Sequence, residues 1–114
     1  MPASVTELVE ARIDALPTAA RAVLQDLALI GGLATTERLH EVAVAPAGVD
    51  AALADLAEAG LASGDPGGTT WVVAGRLVRE VTVSSMLQAT REAAEARLRD
   101  VAADEPEAGA AEGA

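Results

Sequence analysis

Aromatic side chains are almost absent from this chain, and this limits how its core can be built. Among 114 residues there is no Phe and no Tyr, and Trp71 is the one aromatic residue. Since 51% of the residues are still apolar, the core has to be made of Ala, Leu and Val. Small aliphatic side chains favour closely packed helices, and a chain of this length is near the usual size of one domain.

Composition also excludes several kinds of chemistry. The chain has no cysteine, so it can form no disulfide, thiol nucleophile or thiolate metal site. Its N-terminus lacks the basic stretch and apolar run of a secretory signal, and no apolar segment approaches the roughly 20 residues needed to cross a bilayer. We therefore expect a cytoplasmic protein that does not enter membranes.

Apolar residues at helical spacing predict two helices at the start of the chain. The first begins at Ser4 or Thr6, either of which can cap it. Pro17 suits the first turn of the second helix, which ends at Gly31 and Gly32. One buried stripe is expected on the first helix, made of Val5, Leu8, Val9, Ile13 and Leu16.

Two further helices are expected in the middle of the chain. Thr35 or Thr36 caps a short third helix, and a fourth covers residues 47–59. Gly60 is expected to end it in the left-handed conformation, with Leu61 packing back on the last turn. The side chains expected to face inward are Leu39, Val42, Val49, Leu53, Leu56 and Ala57.

The last part of the chain predicts a hairpin, more helix and a tail. Segments 61–63 and 69–73 flank a turn-rich tip at residues 64–68, which is typical of a β-hairpin. Helical spacing returns from Arg76, and Glu95 is expected to pair with Arg99 four residues later. We expect one domain over 1–103 and a disordered acidic tail over 104–114. The fold class is thus mainly α with a small β-hairpin.

Several helices, a glycine-tipped hairpin and further helix are the order of a winged helix-turn-helix with an additional C-terminal helix. Three segments sharpen the likeness: IDALPTAARAVL at 13–24, LADLAEAGL at 53–61 and LVREV at 77–81. Together they resemble the winged-helix segment that follows the nucleotide-binding core in STAND-type AAA ATPases, such as the large LuxR-type and MalT-like bacterial transcriptional regulators. The resemblance covers about residues 10–102 and implies a regulatory module of a multidomain ATP-dependent regulator.

One position departs from that family. A histidine that reaches a phosphate of the bound nucleotide usually precedes the third segment. Here that position is Gly75, which has no side chain to make the contact.

Catalytic, metal and cofactor sites are not indicated. Ser84 and Ser85 lack a nearby base, and His40 lacks the further ligands that a metal site needs. The loop 64–68 has the glycines of a phosphate-binding loop, but no lysine follows it, so a turn is favoured. We expect no enzyme activity, no bound metal and no cofactor.

The charge pattern argues against nucleic acid as a partner. The net charge is −10, and residues 47–59, which would enter the major groove, carry Asp50, Asp55 and Glu58 without Arg, Lys, Asn or Gln. Acidic residues lie between the arginines of the last helices, so these arginines are expected to form salt bridges on a helix surface and not a basic face. They are Arg76, Arg79, Arg91, Arg97 and Arg99.

We therefore expect a protein-interaction module that binds a neighbouring domain or a separate partner. Trp71 is expected mainly to fill the core, although a half-exposed Trp would also anchor a partner. Two alternatives remain: an autonomous DNA-binding repressor, and a homodimer formed through an apolar stripe at Leu87, Ala94, Leu98 and Val101. The candidate partner-binding residues are Trp71, Arg76, Arg79, Leu87 and Leu98.

Overall fold

The computed structural model describes residues 4–103, which form six α-helices, three short strands and one 3-10 turn. In chain order these are α1 (Val5–Asp14), α2 (Thr18–Ile30), β1 (Leu33–Thr35), α3 (Thr36–Val42), the 3-10 turn Pro46–Gly48, α4 (Val49–Ala59), β2 (Ala62–Gly64), β3 (Thr70–Val73), α5 (Arg76–Ser84) and α6 (Gln88–Ala103). The described chain is mainly helical with a small antiparallel sheet. The acidic tail expected at 104–114 lies outside the described residues.

The ends of α1 are fixed by local hydrogen bonds. At its start the Ser4 hydroxyl accepts from the Glu7 amide at 3.1 Å, and the Glu7 carboxylate accepts from the Ser4 amide at 2.9 Å. This capping box confirms Ser4 as the helix start. At its end the Arg21 guanidinium donates to the carbonyls of Asp14 and Leu16, at 3.1 and 3.3 Å, and so fixes the corner between α1 and α2.

The apolar stripe of α1 was expected to be buried along its whole length, and this is wrong for its first half. Ile13 and Leu16 are buried, but Val5 is 63% exposed and Leu8 is 56% exposed. Periodicity correctly puts these residues on one face, but the core reaches only the C-terminal part of the helix. The first turns of α1 therefore present apolar surface to solvent.

Helix α2 runs through the centre of the core, with α4 and α5 packed against it. Gly31 ends the helix with φ at 135°, as the paired glycines predict. Gly32 then accepts from the Val73 amide at 2.8 Å, which ties the end of α2 to the sheet. The fully buried side chains on α2 are Ala20, Leu24, Leu27 and Ala28.

Helix α4 follows the 3-10 turn and buries one face against α2. Its buried residues are Val49, Ala52, Leu53 and Leu56. Ala57 was expected to be buried but is exposed, because it lies outside the stripe that these four residues form. Gly60 ends the helix in the left-handed conformation at φ 75°, and the Leu61 amide donates to the Leu56 carbonyl at 3.0 Å, as predicted.

The sheet has three strands in the order β1-β3-β2, where the sequence predicted only the hairpin. Strand β1 pairs with β3 in the register Leu33 with Val72 and Ala34 with Trp71, and β2 pairs with the other edge of β3. A strand of three residues is too short to show alternation, and its partner lies far along the chain. The sequence pattern alone therefore does not predict β1.

Helices α5 and α6 complete the described chain. Val78 and Val81 are buried on α5, where the Thr82 hydroxyl donates to the Val78 carbonyl at 2.6 Å. On α6, Glu95 accepts from Arg91 at 3.3 Å in place of the expected pair with Arg99. Within residues 4–103 no helix combines the length and the apolar character that a membrane span requires.

Candidate protein-interaction surfaces

The outer face of α4 is acidic. Burial of its apolar stripe leaves Asp50 and Glu58 exposed and Asp55 partly exposed. The Asp50 carboxylate accepts a hydrogen bond from His40 Nε2 at 3.0 Å. Within residues 4–103, Asp55 and Glu58 have no hydrogen-bond or ion-pair partner. This face therefore presents negative charge that the surrounding described residues do not neutralise.

The glycine-rich loop between β2 and β3 is a closed turn. The Asp65 carboxylate accepts from the amides of Thr69 and Thr70, at 2.7 and 3.2 Å. The Gly68 amide donates to the Asp65 carbonyl at 2.9 Å, and the Thr36 hydroxyl donates to the Gly68 carbonyl at 2.6 Å. These hydrogen bonds close the loop on itself, which confirms the predicted turn.

Trp71 lies half-buried on the inner side of the sheet and packs against the core. It stands opposite Gly64 on β2, and a Cβ at position 64 would lie only 2.8 Å from its ring. The absence of a side chain at Gly64 thus lets the indole lie flat on the neighbouring strand. The other face of the sheet exposes the cross-strand pair Leu33 and Val72, which are 59% and 42% exposed.

Arg76 and Arg79 are used differently. Arg76 is an exposed side chain that pairs with Glu80 four residues later, at 3.0 Å. Arg79 Nε donates to the Ala28 carbonyl at 3.1 Å and lies against Gly32, where an added Cβ would meet its side chain at 3.2 Å. Arg79 therefore holds α5 to the end of α2, whereas Arg76 remains at the surface.

The apolar residues of the C-terminal helix do not form one outward stripe. Leu87 is 76% exposed, whereas Ala94 is only 1% exposed and packs within its own chain. Leu98 is partly buried and lines a depression together with Leu29 and Ile30. The expectation that Ala94 belongs to a dimer-forming stripe is therefore wrong, because Ala94 cannot contact a second copy while α6 packs on its own chain.

Sequence reasoning missed a buried ion pair between Asp26 and Arg97. The guanidinium of Arg97 donates to the Asp26 carboxylate at 3.3 and 3.4 Å and to the Val42 carbonyl at 2.6 Å. Asp26 is 2% exposed. Burial raises the pKa of the Asp26 carboxyl above its ordinary value, although the hydrogen bond and the charge of Arg97 act in the opposite direction. The pair fastens α6 to α2 and α3. An acid among the apolar residues of a buried helix was the one available signal.

Ser84, Ser85 and His40 each make local hydrogen bonds. The hydroxyls of Ser84 and Ser85 donate to the carbonyls of Val81 and Thr82, at the end of α5. Among residues 4–103, the one hydrogen-bond partner of the His40 side chain is Asp50. Across the described part of the chain, no group of three or more His, Cys, Asp or Glu residues is placed to hold a metal ion.

A groove runs between the α1–α2 corner and the C-terminal half of α4. It encloses about 380 Å³. We call it the α1–α4 groove, and the residues that line it are Arg12, Ala15, Leu16, Pro17, Asp55, Glu58 and Ala59. Most of its lining is apolar, and charged groups stand at its rim.

Comparison of the chain with protein-family models, with curated proteins and with solved structures gives no match.

Proposed function

We propose that the chain is a non-catalytic winged-helix module that binds protein, and that it belongs to a multidomain ATP-dependent transcriptional regulator. The order of elements from α2 to β3 supports the fold assignment. So does the strand order β1-β3-β2, in which the strand before the helix pair joins the hairpin. In this assignment α3 and α4 form the helix-turn-helix, β2 and β3 form the wing, and the module acts in the cytoplasm.

The observation that carries the proposal is the charge of α4. As the second helix of the helix-turn-helix, α4 would be the one to enter a major groove. It carries Asp50, Asp55 and Glu58 and has no basic or amide side chain. Protein–DNA affinity depends on cations that neutralise phosphates and on donors that read base edges. This helix repels a polyanion, so the module is expected to bind other polypeptides.

The arginines of α5 and α6 support the same conclusion. Four of them are occupied within the chain: Arg76 by Glu80, Arg79 by the Ala28 carbonyl, Arg91 by Glu95, and Arg97 by Asp26. A cation that is paired within its own chain offers less attraction to phosphate than a free one. These side chains are therefore not organised as a phosphate-binding face.

A DNA-binding measurement tests the proposal directly. Fluorescence anisotropy of a labelled mixed-sequence duplex is measured with the wild-type protein and with the double variant Asp55→Arg/Glu58→Arg, at low and at moderate salt. We expect no binding by the wild type and salt-sensitive binding by the variant, because the reversal gives α4 two phosphate contacts.

The matched control is Glu37→Arg/Glu41→Arg, which makes the same change in net charge on exposed positions of α3. We expect it to bind DNA more weakly than the α4 variant. Wild-type binding that weakens steeply as salt rises would instead identify an autonomous DNA-binding protein and overturn the proposal.

The assignment to a multidomain regulator has its own test, which is the sequence of the uninterrupted reading frame that encodes this chain. We expect a phosphate-binding loop upstream and a helical repeat or a DNA-binding domain downstream. A reading frame that encodes these residues and no ATPase core would contradict that part of the proposal.

A further inference from the structure

The α1–α4 groove combines an apolar floor with charges that have no partner. Ala15, Leu16 and Pro17 supply the floor from the α1–α2 corner, and Ala59 closes it from α4. Asp55 and Glu58 stand on the α4 side, and Arg12 stands opposite. Among residues 4–103 none of these three charged side chains makes a hydrogen bond or an ion pair. All three are therefore available to a partner.

The potential in the groove is negative on balance. Two carboxylates face one guanidinium across it, and the C-terminal end of α4 adds the partial negative charge of its last carbonyls. Arg12 lies toward that end, since its Nη1 atom would be 3.8 Å from a Cβ at Gly60. Arg12 therefore lies beside the end of α4, and it makes no ion pair with Asp55 or Glu58.

The groove is held in shape before any partner arrives. Arg21 binds the carbonyls of Asp14 and Leu16, which fixes the corner that forms the floor. Gly60 and the Leu61 amide fix the end of α4 through bonds to the Ala57 and Leu56 carbonyls. A surface that is already ordered loses little conformational entropy on binding, which favours recognition of a peptide segment.

We propose that the α1–α4 groove binds a basic amphipathic segment of a partner protein. An apolar side chain of that segment contacts Ala15, Pro17 and Ala59, and flanking arginines or lysines pair with Asp55 and Glu58. Charge complementarity selects this occupant, because an acidic segment would meet both carboxylates. The inference rests on the proposed function and gives that function a location and a partner chemistry.

The test uses the whole chain and a synthetic helical peptide with leucines on one face and arginines beside them. Controls are a scrambled peptide of the same composition and a peptide in which glutamate replaces arginine. Titration is followed by the anisotropy of a dye on the peptide. Circular dichroism of each protein variant verifies that it is folded.

Two protein variants probe the groove, and each has a matched control. Asp55→Arg/Glu58→Arg reverses its charge, and Glu37→Arg/Glu41→Arg makes the same change on α3. Ala15→Phe fills the floor at an exposed position with ordinary helical backbone, and Ala57→Phe adds the same ring to an exposed position of α4 outside the groove.

The wild type is expected to bind the leucine–arginine peptide at least about tenfold more tightly than either control peptide. Both groove variants should weaken this binding by about tenfold or more, while the α3 and Ala57 variants stay within about twofold of the wild type. Equal weakening by both charge reversals would mean attraction to net charge alone and would overturn the proposal. Absence of wild-type binding, or unchanged binding by the groove variants, would also overturn it.

The outcome is separable from that of the proposed function. If the wild-type protein binds neither the peptide nor DNA, the groove assignment is refuted, but the proposal of a protein-binding module is not. A wild type that binds duplex DNA refutes the proposed function whatever the peptide does.

Discussion

Removal of the Arg97 guanidinium tests how α6 is fastened to the rest of the chain. In Arg97→Ala the buried carboxylate of Asp26 loses the one described group that donates to it, and the Val42 carbonyl loses a bond of 2.6 Å. A buried charge without a partner is costly because water no longer solvates it. We expect Arg97→Ala to be one of the most destabilising single changes on α6.

The magnitude follows from burial on the two sides of the pair. Breaking a fully buried ion pair costs about 3–5 kcal/mol. Here the Arg97 side chain is 32% exposed, and its bonds to Asp26 are long, at 3.3 and 3.4 Å. Water can therefore replace part of what is lost, and we expect a loss of about 2–3 kcal/mol in the free energy of unfolding.

The assay is urea unfolding followed by circular dichroism and by Trp71 fluorescence. The control is Arg91→Ala on the same helix, which removes an exposed pair with Glu95 and should cost under about 0.5 kcal/mol. The double variant Asp26→Leu/Arg97→Leu should recover most of the stability, since no buried charge is left. If Arg97→Ala and Arg91→Ala unfold at the same urea concentration, the structural role given to the Asp26–Arg97 pair is wrong.

The effect of Arg97→Ala should also depend on pH, with a sign set by Asp26. The raised pKa of Asp26 means that the folded state holds its proton more tightly than the unfolded state, so stability falls as pH rises from the ordinary Asp value of 3.8 toward the folded value. Without Arg97 the pKa of Asp26 rises further. The penalty of Arg97→Ala is thus largest near neutral pH and shrinks on acidification, and a pH-independent penalty would contradict this account.

Two glycine substitutions test local geometry. Gly60→Ala should lower the free energy of unfolding by about 1 kcal/mol, because φ is 75° at this position. The nearest described atom, on Arg12, is 3.8 Å from the new Cβ. The cost therefore comes from backbone strain and not from a steric clash, and urea unfolding measures it. Gly64→Ala should shift the fluorescence emission of Trp71, because the new Cβ would lie 2.8 Å from the indole ring. The control is Gly67→Ala, where the nearest contact is an ordinary 3.5 Å. An unchanged emission spectrum in Gly64→Ala would refute the close approach.

Helix ends and turns that depend on residues close together in sequence could be predicted. The Ser4 cap depends on Glu7 three residues later, and the end of α4 depends on Gly60 and Leu61. In both cases the chemistry that fixes the backbone is contained in one short segment. The turn at Asp65 belongs to the same kind, because its carboxylate binds amides four and five residues away.

Features that join distant segments could not be predicted. Strand β1 exists because Leu33 and Ala34 meet β3, and nothing in a three-residue segment indicates that partner. Likewise, Asp26 and Arg97 are separated by 71 residues. Arg97 lies among acids of its own helix, so sequence spacing assigns it to surface pairs. Of the candidate site, the acidic face of α4 was predictable, but the α1–α4 groove arises only when α1 and α4 are brought together.

The backbone at Gly75 bears on how a module of the proposed kind would respond to nucleotide. Its φ of 101° and ψ of 164° are values that residues with a Cβ rarely adopt. The conformation is tied on both sides, because the Gly75 amide donates to the Val73 carbonyl at 2.7 Å and its carbonyl accepts from the Arg79 amide at 3.2 Å. In the ATPase segments to which the proposed function would assign this chain, this position usually carries a histidine that contacts phosphate. A histidine here would be strained even though open space surrounds the position. The backbone as well as the missing side chain therefore departs from a phosphate sensor, and nucleotide state would have to reach this module through its contacts with a neighbouring domain.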